Sequence, residues 1–139
     1  MILRVLVVED HPAWLTILKE DLEELSAENF RVTTASSLDE AITHLKRETY
    51  HVVVTDIGLT EDTADIGGIK LLEWLKINCP ITRALAISGR AATGFDKEKF
   101  KQQYHVLEYL DRSDYDSEEF VRLVERAAAE SKKASAGQS

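Results

Sequence analysis

Cysteine, proline and long apolar runs are all scarce in this chain of 139 residues, which contains one cysteine and two prolines. The lone cysteine, Cys79, excludes an intramolecular disulfide and a cluster of thiolate metal ligands. No apolar run approaches the roughly 20 residues of a membrane span. The segment ILRVLVVE near the start has neither the charged leader nor the small-residue cleavage site of a secretory signal. These absences favour a cytoplasmic protein.

Positive charge is also in short supply. Lysine and arginine number 17 against 25 aspartates and glutamates, which gives a formal net charge of −8 at pH 7. Because nucleic acids and anionic membranes attract lysine and arginine, this balance predicts direct binding to neither. The length fits one domain that buries roughly 70% of the surface of its unfolded chain. The composition, 44% hydrophobic and 30% charged, is that of an ordinary globular domain.

Five short apolar or β-branched segments alternate with five segments of helical periodicity. The predicted strands are residues 3–9, 30–35, 51–56, 82–88 and 106–112. The predicted helices begin near Pro12, after a Ser37 cap, at Gly68, at Phe95 and with a Ser117 cap. This alternation predicts an α/β fold in which a parallel sheet carries helices on both faces. We expect one domain over residues 1–130 and a flexible polar tail over residues 131–139.

Polar or charged residues stand at the carboxyl ends of four of the predicted strands. Glu9 and Asp10 follow the first strand, Asp56 ends the third, Ser88 ends the fourth and Arg112 ends the fifth. Ligands of parallel α/β sheets bind at the carboxyl ends of the strands, near the switch in strand order. We therefore expect these five side chains to converge on one site.

The chemistry of such a site follows from its charges. Three carboxylates on adjacent strand ends repel one another, so either their pKa values rise or a cation joins them. Magnesium suits the second case, because it takes one or two carboxylates, a carbonyl and several waters. Asp56 is then a plausible nucleophile toward a phosphoryl group. Ser88 could hydrogen-bond a phosphoryl oxygen, and Arg112 could neutralise its charge.

Each of these residues also has a purely structural interpretation. Asp10 could cap the first helix, and Asp56 could be a turn residue. Ser88 before a glycine is often turn chemistry alone. Arg112 could be a surface charge that pairs with neighbouring aspartates. The four histidines lack metal-ligand spacing.

The segments VLVVEDHP, VVVTDIGL, ALAIS-G and EYLDR, in this order and spacing, resemble the receiver domain of two-component response regulators. The resemblance covers about residues 2–130. It implies a flavodoxin-like, doubly wound sheet of five parallel strands in the order 2-1-3-4-5, with five helices. It also implies a domain that is not an enzyme beyond self-catalysed phosphorylation and dephosphorylation.

The resemblance further implies the role of each candidate residue. Asp56 corresponds to the phosphoacceptor, which receives phosphate from a histidine kinase or phosphotransfer protein. Glu9 and Asp10 correspond to the acidic pair that holds Mg²⁺ (or Mn²⁺), together with Asp56 and the main-chain carbonyl of Gly58. A downstream effector protein or an output domain outside this chain would then read the phosphorylated state.

Two further residues correspond to the switch of the family. Ser88 matches the hydroxyl residue that swings toward the phosphoryl group. Tyr109 matches the aromatic residue that turns inward as the serine moves, which changes the face formed by the fourth helix and fifth strand.

The chain also departs from the family pattern. Arg112 and Ser113 stand where the family has lysine and proline, and arginine presents a flat fork of donors rather than a point charge. We expect the loop after the fifth strand to take another path, because a non-proline cis peptide costs about 3 kcal/mol. The loop 57–68 is longer than usual and carries three more carboxylates. We interpret Gly58 and the pair at 67–68 as backbone freedom that lets a carbonyl face a cation.

Two other functions compete with a phosphoacceptor. The first is an atypical receiver that works as a phosphorylation-independent interaction module, a hypothesis that Arg112 and Ser113 motivate. The second is an enzyme or flavin carrier on the same sheet, which would need N–H donors for phosphate after the first strand. The segment EDHPAW offers carboxylates there instead, so the sequence disfavours this class.

Overall fold

The computed structural model describes residues 2–57, 67–89 and 96–137. In these ranges the strands are β1 (Leu3–Val8), β2 (Phe30–Ala35), β3 (Val52–Asp56), β4 (Arg83–Ser88) and β5 (Val106–Asp111). The helices are α1 (Pro12–Leu25), α2 (Leu38–Arg47), α3 (Gly67–Asn78), α4 (Lys97–Tyr104) and α5 (Ser117–Gly137). A short 3₁₀ helix, Arg112–Asp114, links β5 to α5.

The five strands form one parallel sheet in the order β2-β1-β3-β4-β5. The predicted α/β class, strand order and helix number are therefore confirmed. The register brings Val8 of β1 beside Thr55 of β3, and Ser88 of β4 beside Asp111 of β5. Because all strands run in one direction, the residues that follow them meet at one edge of the sheet.

Each face of the sheet carries its own apolar layer, which explains the nearly continuous apolar runs in the strands. The first layer, here called the α2–α4 layer, contains Leu6 of β1, Ala41 of α2, Leu71 of α3 and Phe100 of α4. The second, the α1–α5 layer, contains mainly strand residues of the opposite parity together with side chains of the two helices. These include Val5, Val7, Leu18, Leu22, Phe120 and Val124.

Helix caps agree with the sequence in one case and differ in another. Ser37 accepts a hydrogen bond from the Glu40 N–H at 3.1 Å, as predicted for the start of α2. The Glu40 carboxylate in turn accepts from the Ser36 N–H at 3.2 Å. The cap of α5 is Asp116 rather than the predicted Ser117, because Asp116 Oδ1 accepts from the Glu119 N–H at 2.9 Å.

The fifth helix continues to Gly137, past the domain boundary predicted at residue 130. Ser131 is fully buried on this helix, so at least one side chain beyond residue 130 packs against the domain. The described part of the chain contains no helix with both the length and the apolarity needed to cross a bilayer.

Candidate functional site

Three carboxylates meet at the carboxyl ends of β1 and β3. Glu9, Asp10 and Asp56 each place a carboxylate oxygen within 4.8 Å of the others. The parallel pairing of β1 with β3 produces this proximity, since the acidic pair follows β1 and Asp56 is the last residue of β3. The alternative interpretation of Asp10 as a helix cap is wrong: the cap position of α1 belongs to His11, which makes no side-chain cap hydrogen bond.

The three acids differ in their exposure to water. Glu9 is buried, with 2% of its surface exposed, whereas Asp10 is exposed. The side chain of Asp56 is 15% exposed. Asp10 and Asp56 line a cavity of about 360 Å³ together with Ser37, Gly68 and Lys70. Glu9 also lines this cavity, so all three acids border it despite their different exposure.

Both oxygens of Glu9 are engaged within the protein. Oε1 accepts a hydrogen bond from the main-chain N–H of His11 at 3.0 Å. Oε2 accepts a hydrogen bond from Nη2 of Arg112. Burial, followed by the negative charge of Asp56, raises the pKa of Glu9 from 4.5 to about 7, and the contacts with His11 and Arg112 oppose that shift.

Arg112 joins the acidic cluster from the turn after β5. Its Nη2 lies 3.3 Å from Oδ2 of Asp56 in addition to its contact with Glu9. The side chain is 16% exposed, and the guanidinium carbon lies 5.4 Å from the ring centroid of Trp14. Arg112 thus pairs with two carboxylates of the site, which contradicts its interpretation as a surface charge that pairs only with neighbouring aspartates.

The turn that carries Arg112 contains no cis peptide bond, in agreement with the different path expected from the Arg112-Ser113 sequence. Residues Arg112–Asp114 form the 3₁₀ helix, and none of the described peptide bonds is cis. Asp111 Oδ1 accepts hydrogen bonds from the Ser113 N–H at 2.9 Å and from the Ser113 hydroxyl at 2.8 Å. These two bonds, the backbone one first, lower the pKa of Asp111.

Ser88 and Tyr109 lie together on the neighbouring strands β4 and β5. Ser88 is 1% exposed and Tyr109 is 2% exposed. Burial raises the pKa of the Tyr109 phenol, and the nearby Ser88 hydroxyl opposes that shift. The Tyr109 ring packs edge-on against Phe100, with centroids 5.6 Å apart. Nζ of Lys97 lies 5.5 Å from its centroid. The aromatic ring therefore points inward in this structure.

One predicted ligand falls outside the described residues. Gly58, whose carbonyl the family resemblance assigns to the metal, lies in the gap between residues 57 and 67, and so do the three additional carboxylates of that loop.

Gly68 has a different role from the backbone freedom predicted for it. It is buried in the first turn of α3, and a Cβ at this position would collide with the main-chain oxygen of Asp56 and the Cα of Ile57. The glycine therefore allows α3 to approach the end of β3. The sequence signal for this close contact was only a glycine pair at the start of a helix.

Trp14 is a site residue that was not predicted from the sequence. It belongs partly to the α1–α5 layer, but it also faces the guanidinium of Arg112. A tryptophan in the first turn of a helix that follows an acidic pair is the only sequence signal for this contact.

The arrangement fits a small, hard divalent cation. Carboxylate oxygens are the donors that Mg²⁺ prefers, and a cavity beside them leaves room for the several waters that it keeps. After the larger effect of burial, the charge of Asp56 contributes to the raised pKa of Glu9, and such a cation would relieve that repulsion.

Comparison with known proteins agrees with this geometry. The family model described as the response regulator receiver domain matches residues 5–120. The chain therefore belongs to the receiver domain family of two-component response regulators. Receiver domains of this family bind Mg²⁺ at an acidic pocket, and Glu9, Asp10 and Asp56 form such a cluster here.

Individual relatives cover different parts of the chain. The two-component response regulator ARR11 of Arabidopsis thaliana is 39% identical over 83 residues, which is 57% of this chain and 15% of that protein. The chain thus spans only a small part of the length of this relative.

Solved structures match almost the whole chain. A CheY-like response regulator receiver domain protein from Methanospirillum hungatei JF-1 has a TM-score of 0.78 at 21% identity, with 96% of this chain and 99% of that chain covered. The response regulator TrrA from Thermotoga maritima, in complex with Mg²⁺-BeF, has a TM-score of 0.71 at 20% identity, with 90% and 98% covered. At these identities the matches establish the fold.

Proposed function

We propose that the chain is a phosphoacceptor domain that is phosphorylated on Asp56 in the presence of Mg²⁺. The observation that carries the proposal is the meeting of Glu9, Asp10 and Asp56 at the ends of β1 and β3, with Arg112 against two of them. Mg²⁺ would be held by these carboxylates and the Gly58 carbonyl. When bound, it would neutralise negative charge on the carboxylate and phosphoryl oxygens.

The proposed reaction transfers a phosphoryl group from a phosphorylated histidine. An oxygen of Asp56 forms the new bond to phosphorus, the bond from phosphorus to the histidine nitrogen breaks, and the imidazole leaves with that electron pair. Asp56 suits this role because it is partly exposed to the cavity, whereas Glu9 is buried and engaged at both oxygens. Small phosphodonors such as acetyl phosphate would react in the same way.

Two polar side chains lie close enough to Asp56 to interact with the negative charge that phosphorylation adds. Phosphorylation replaces the single charge of a carboxylate with a group that carries about 1.5 to 2 negative charges. Arg112 already lies 3.3 Å from Asp56 Oδ2 and can hydrogen-bond the phosphoryl oxygens. Ser88, at the end of the adjacent strand β4, would turn its hydroxyl toward the same group.

Movement of Ser88 would change the environment of Tyr109, which lies next to it. The face built by α4 and β5 would then shift between two packings, and a partner that prefers one of them would read the phosphorylated state. We assign the phosphate donor as a histidine kinase or phosphotransfer protein. The partner that recognises the phosphorylated state would be an effector protein or an output domain outside this chain. We assign no direct contact with nucleic acid or membrane, no catalysis beyond the domain's own phosphorylation and dephosphorylation, and a cytoplasmic location.

Intact-mass spectrometry tests the phosphoacceptor directly. The protein incubated with acetyl phosphate and Mg²⁺ should gain the mass of one phosphoryl group, and Asp56→Asn should gain none. EDTA should abolish the gain in the wild type. An equal gain in Asp56→Asn, or no gain with acetyl phosphate and with a panel of phosphorylated histidine donors, would overturn the proposal.

A second function is favoured by one specific feature, the inward position of Tyr109. If this packing is already the partner-binding one, the domain would act as an interaction module that does not depend on phosphorylation. Beryllofluoride with Mg²⁺ separates the two functions. Large amide chemical-shift changes across α4 and β5 support the phosphorylation switch, whereas changes confined to the acidic cluster support the interaction module.

A further inference from the structure

The guanidinium of Arg112 contacts three side chains: two carboxylates and one indole. Nη2 donates to Glu9 and lies 3.3 Å from Asp56. The guanidinium carbon lies 5.4 Å from the centroid of the Trp14 ring, within the distance of a cation–π contact. In the described part of the chain, Arg112 Nε has no hydrogen-bond partner. The position of the side chain therefore depends on the two carboxylates and on the indole.

Trp14 is itself fixed by its surroundings. Its ring meets the ring of Tyr115 edge-on, with centroids 5.2 Å apart and an interplanar angle of 86°. The Tyr115 hydroxyl donates to Oδ2 of Asp21 at 2.5 Å, which ties the ring to α1. Tyr115 also packs on Phe120, with centroids 5.7 Å apart. The indole thus presents a stable face to the guanidinium.

We propose that Trp14 is a positioning residue that holds Arg112 inside the acidic cluster as a tethered counter-ion, and that this contact lowers the affinity of the site for divalent cations. The inference deepens the proposed function, on which its metal-binding part rests. It also gives a physical reason for arginine at this position: the guanidinium carbon can lie over an indole while a terminal nitrogen reaches two carboxylates.

The competition follows from the oxygens involved. Arg112 already contacts one oxygen of Glu9 and one of Asp56, and both residues belong to the carboxylate cluster that a divalent cation would enter. Two cations close to the same carboxylates repel each other, so the metal binds more weakly while the guanidinium stays in place. Loss of the indole contact lets Arg112 move toward solvent and relieves that repulsion.

Mn²⁺ binding to the full 139-residue chain, measured by EPR of the free ion, tests the competition. Trp14→Leu should bind Mn²⁺ about threefold to tenfold more tightly than wild type, within the range of a partly desolvated cation–π contact. Trp14→Phe keeps an aromatic face and should stay close to wild type. Trp74→Leu, which removes the other indole from the α2–α4 layer, is the matched control and should leave the affinity unchanged.

The double variant decides whether Trp14 acts through Arg112. Arg112→Met should tighten Mn²⁺ binding by about tenfold or more, because it removes the competing charge. Adding Trp14→Leu to Arg112→Met should then have no further effect. An equal tightening by Trp14→Leu in both backgrounds, or no tightening in the wild-type background, would overturn the inference.

A metal-free measurement separates this inference from the proposed function. The NMR cross-peak of the Arg112 side-chain Nε–H should carry an upfield ring-current shift in the wild type and lose it in Trp14→Leu. Its absence in the wild type would overturn the positioning role, whatever the Mn²⁺ result. A clear ring-current shift in a protein that binds no Mn²⁺ in any variant would support the positioning of Arg112 and overturn the metal site instead.

Discussion

Arg112, in the turn after β5, donates a hydrogen bond to the buried carboxylate of Glu9, which lies 103 residues earlier at the end of β1. The contact joins an edge strand of the sheet to a central strand, across β3 and β4. It also places a positive charge next to the cluster of three carboxylates. The acidic site of this chain therefore contains its own counter-ion.

Removal of the Arg112 charge should slow phosphorylation even though it strengthens metal binding. At saturating Mg²⁺, Arg112→Met should accept phosphate from acetyl phosphate at least about tenfold more slowly, because the transferred group loses a charge-assisted hydrogen bond. Arg112→Lys keeps the charge and should stay within about threefold of the wild type. The rates are measured by intact mass over time. A rate for Arg112→Met equal to that of the wild type would show that Arg112 does not contact the transferred group.

The raised pKa of Glu9 predicts a pH-dependent stability of the metal-free protein. The folded-state value of about 7 lies above the ordinary value of 4.5, so folding favours the protonated acid. This contribution is fully present below pH 4.5 and is lost as the pH rises through 7. Glu9→Gln imitates the protonated form and should gain about 2 to 3 kcal/mol relative to the wild type between pH 5 and pH 8.

Urea unfolding in EDTA at the two pH values measures that difference. Asp10→Asn is the matched control, because Asp10 is exposed, and its difference from the wild type should change little. A stability gap between Glu9→Gln and wild type that is the same at both pH values would contradict the prediction.

Gly68→Ala should damage both the fold and the site. The added methyl collides with the backbone of Asp56 and Ile57, so either α3 or the end of β3 must move. We expect a loss of about 1 to 3 kcal/mol in the free energy of unfolding, typical of overpacking, together with slower phosphorylation of Asp56. Gly137→Ala is the control, because a methyl there meets no atom within 4 Å. Equal stabilities for the two variants would exclude the close contact.

His51 should titrate below its ordinary range. Its Nδ1 accepts a hydrogen bond from the Arg4 N–H at 3.0 Å, which requires a neutral imidazole nitrogen. Burial, followed by the charges of Arg4 and Lys132, lowers its pKa from 6.5. The stability that His51 contributes is therefore present above pH 6.5 and is lost as the pH falls through the folded-state pKa.

An NMR titration of the His51 ring tests this assignment of causes. Lys132→Gln should raise the pKa of His51, because one of the two repelling charges is removed. Lys133→Gln, at the neighbouring exposed position, should leave it unchanged. Identical titration curves for the two variants would remove Lys132 from the explanation.

The strands and the convergence of the acids could be predicted from sequence because both depend on local patterns. Apolar runs such as VLVV identify buried parallel strands, and a shared direction brings the residues after them to one edge. The cap of α1 could not be assigned in this way. Asp10 and His11 are equally placed to cap the helix, and only the packing of β1 against β3 turns Asp10 toward Asp56.

Contacts between segments that are distant in the chain could not be predicted from the sequence either. Gly68 appeared to be a flexible residue, but its role depends on how closely α3 approaches β3. The helical spacing of Trp14 predicts a core position on α1 and gives no indication of its contact with Arg112. Tertiary packing determines such contacts, and the hydrophobic periodicity of the sequence carries no information about them.

The separation of the apolar interior into two layers has a consequence for signal output. Ser88 and Tyr109 lead from Asp56 into the α2–α4 layer, whereas Arg112 and Trp14 lead into the α1–α5 layer. Under the proposed function, phosphorylation of Asp56 would therefore act on both layers, which lie on opposite faces of the sheet. Relaxation-dispersion measurements should find that Tyr109→Ala alters exchange only on the first side and Trp14→Leu only on the second, so that two different binding proteins could respond to the same modification.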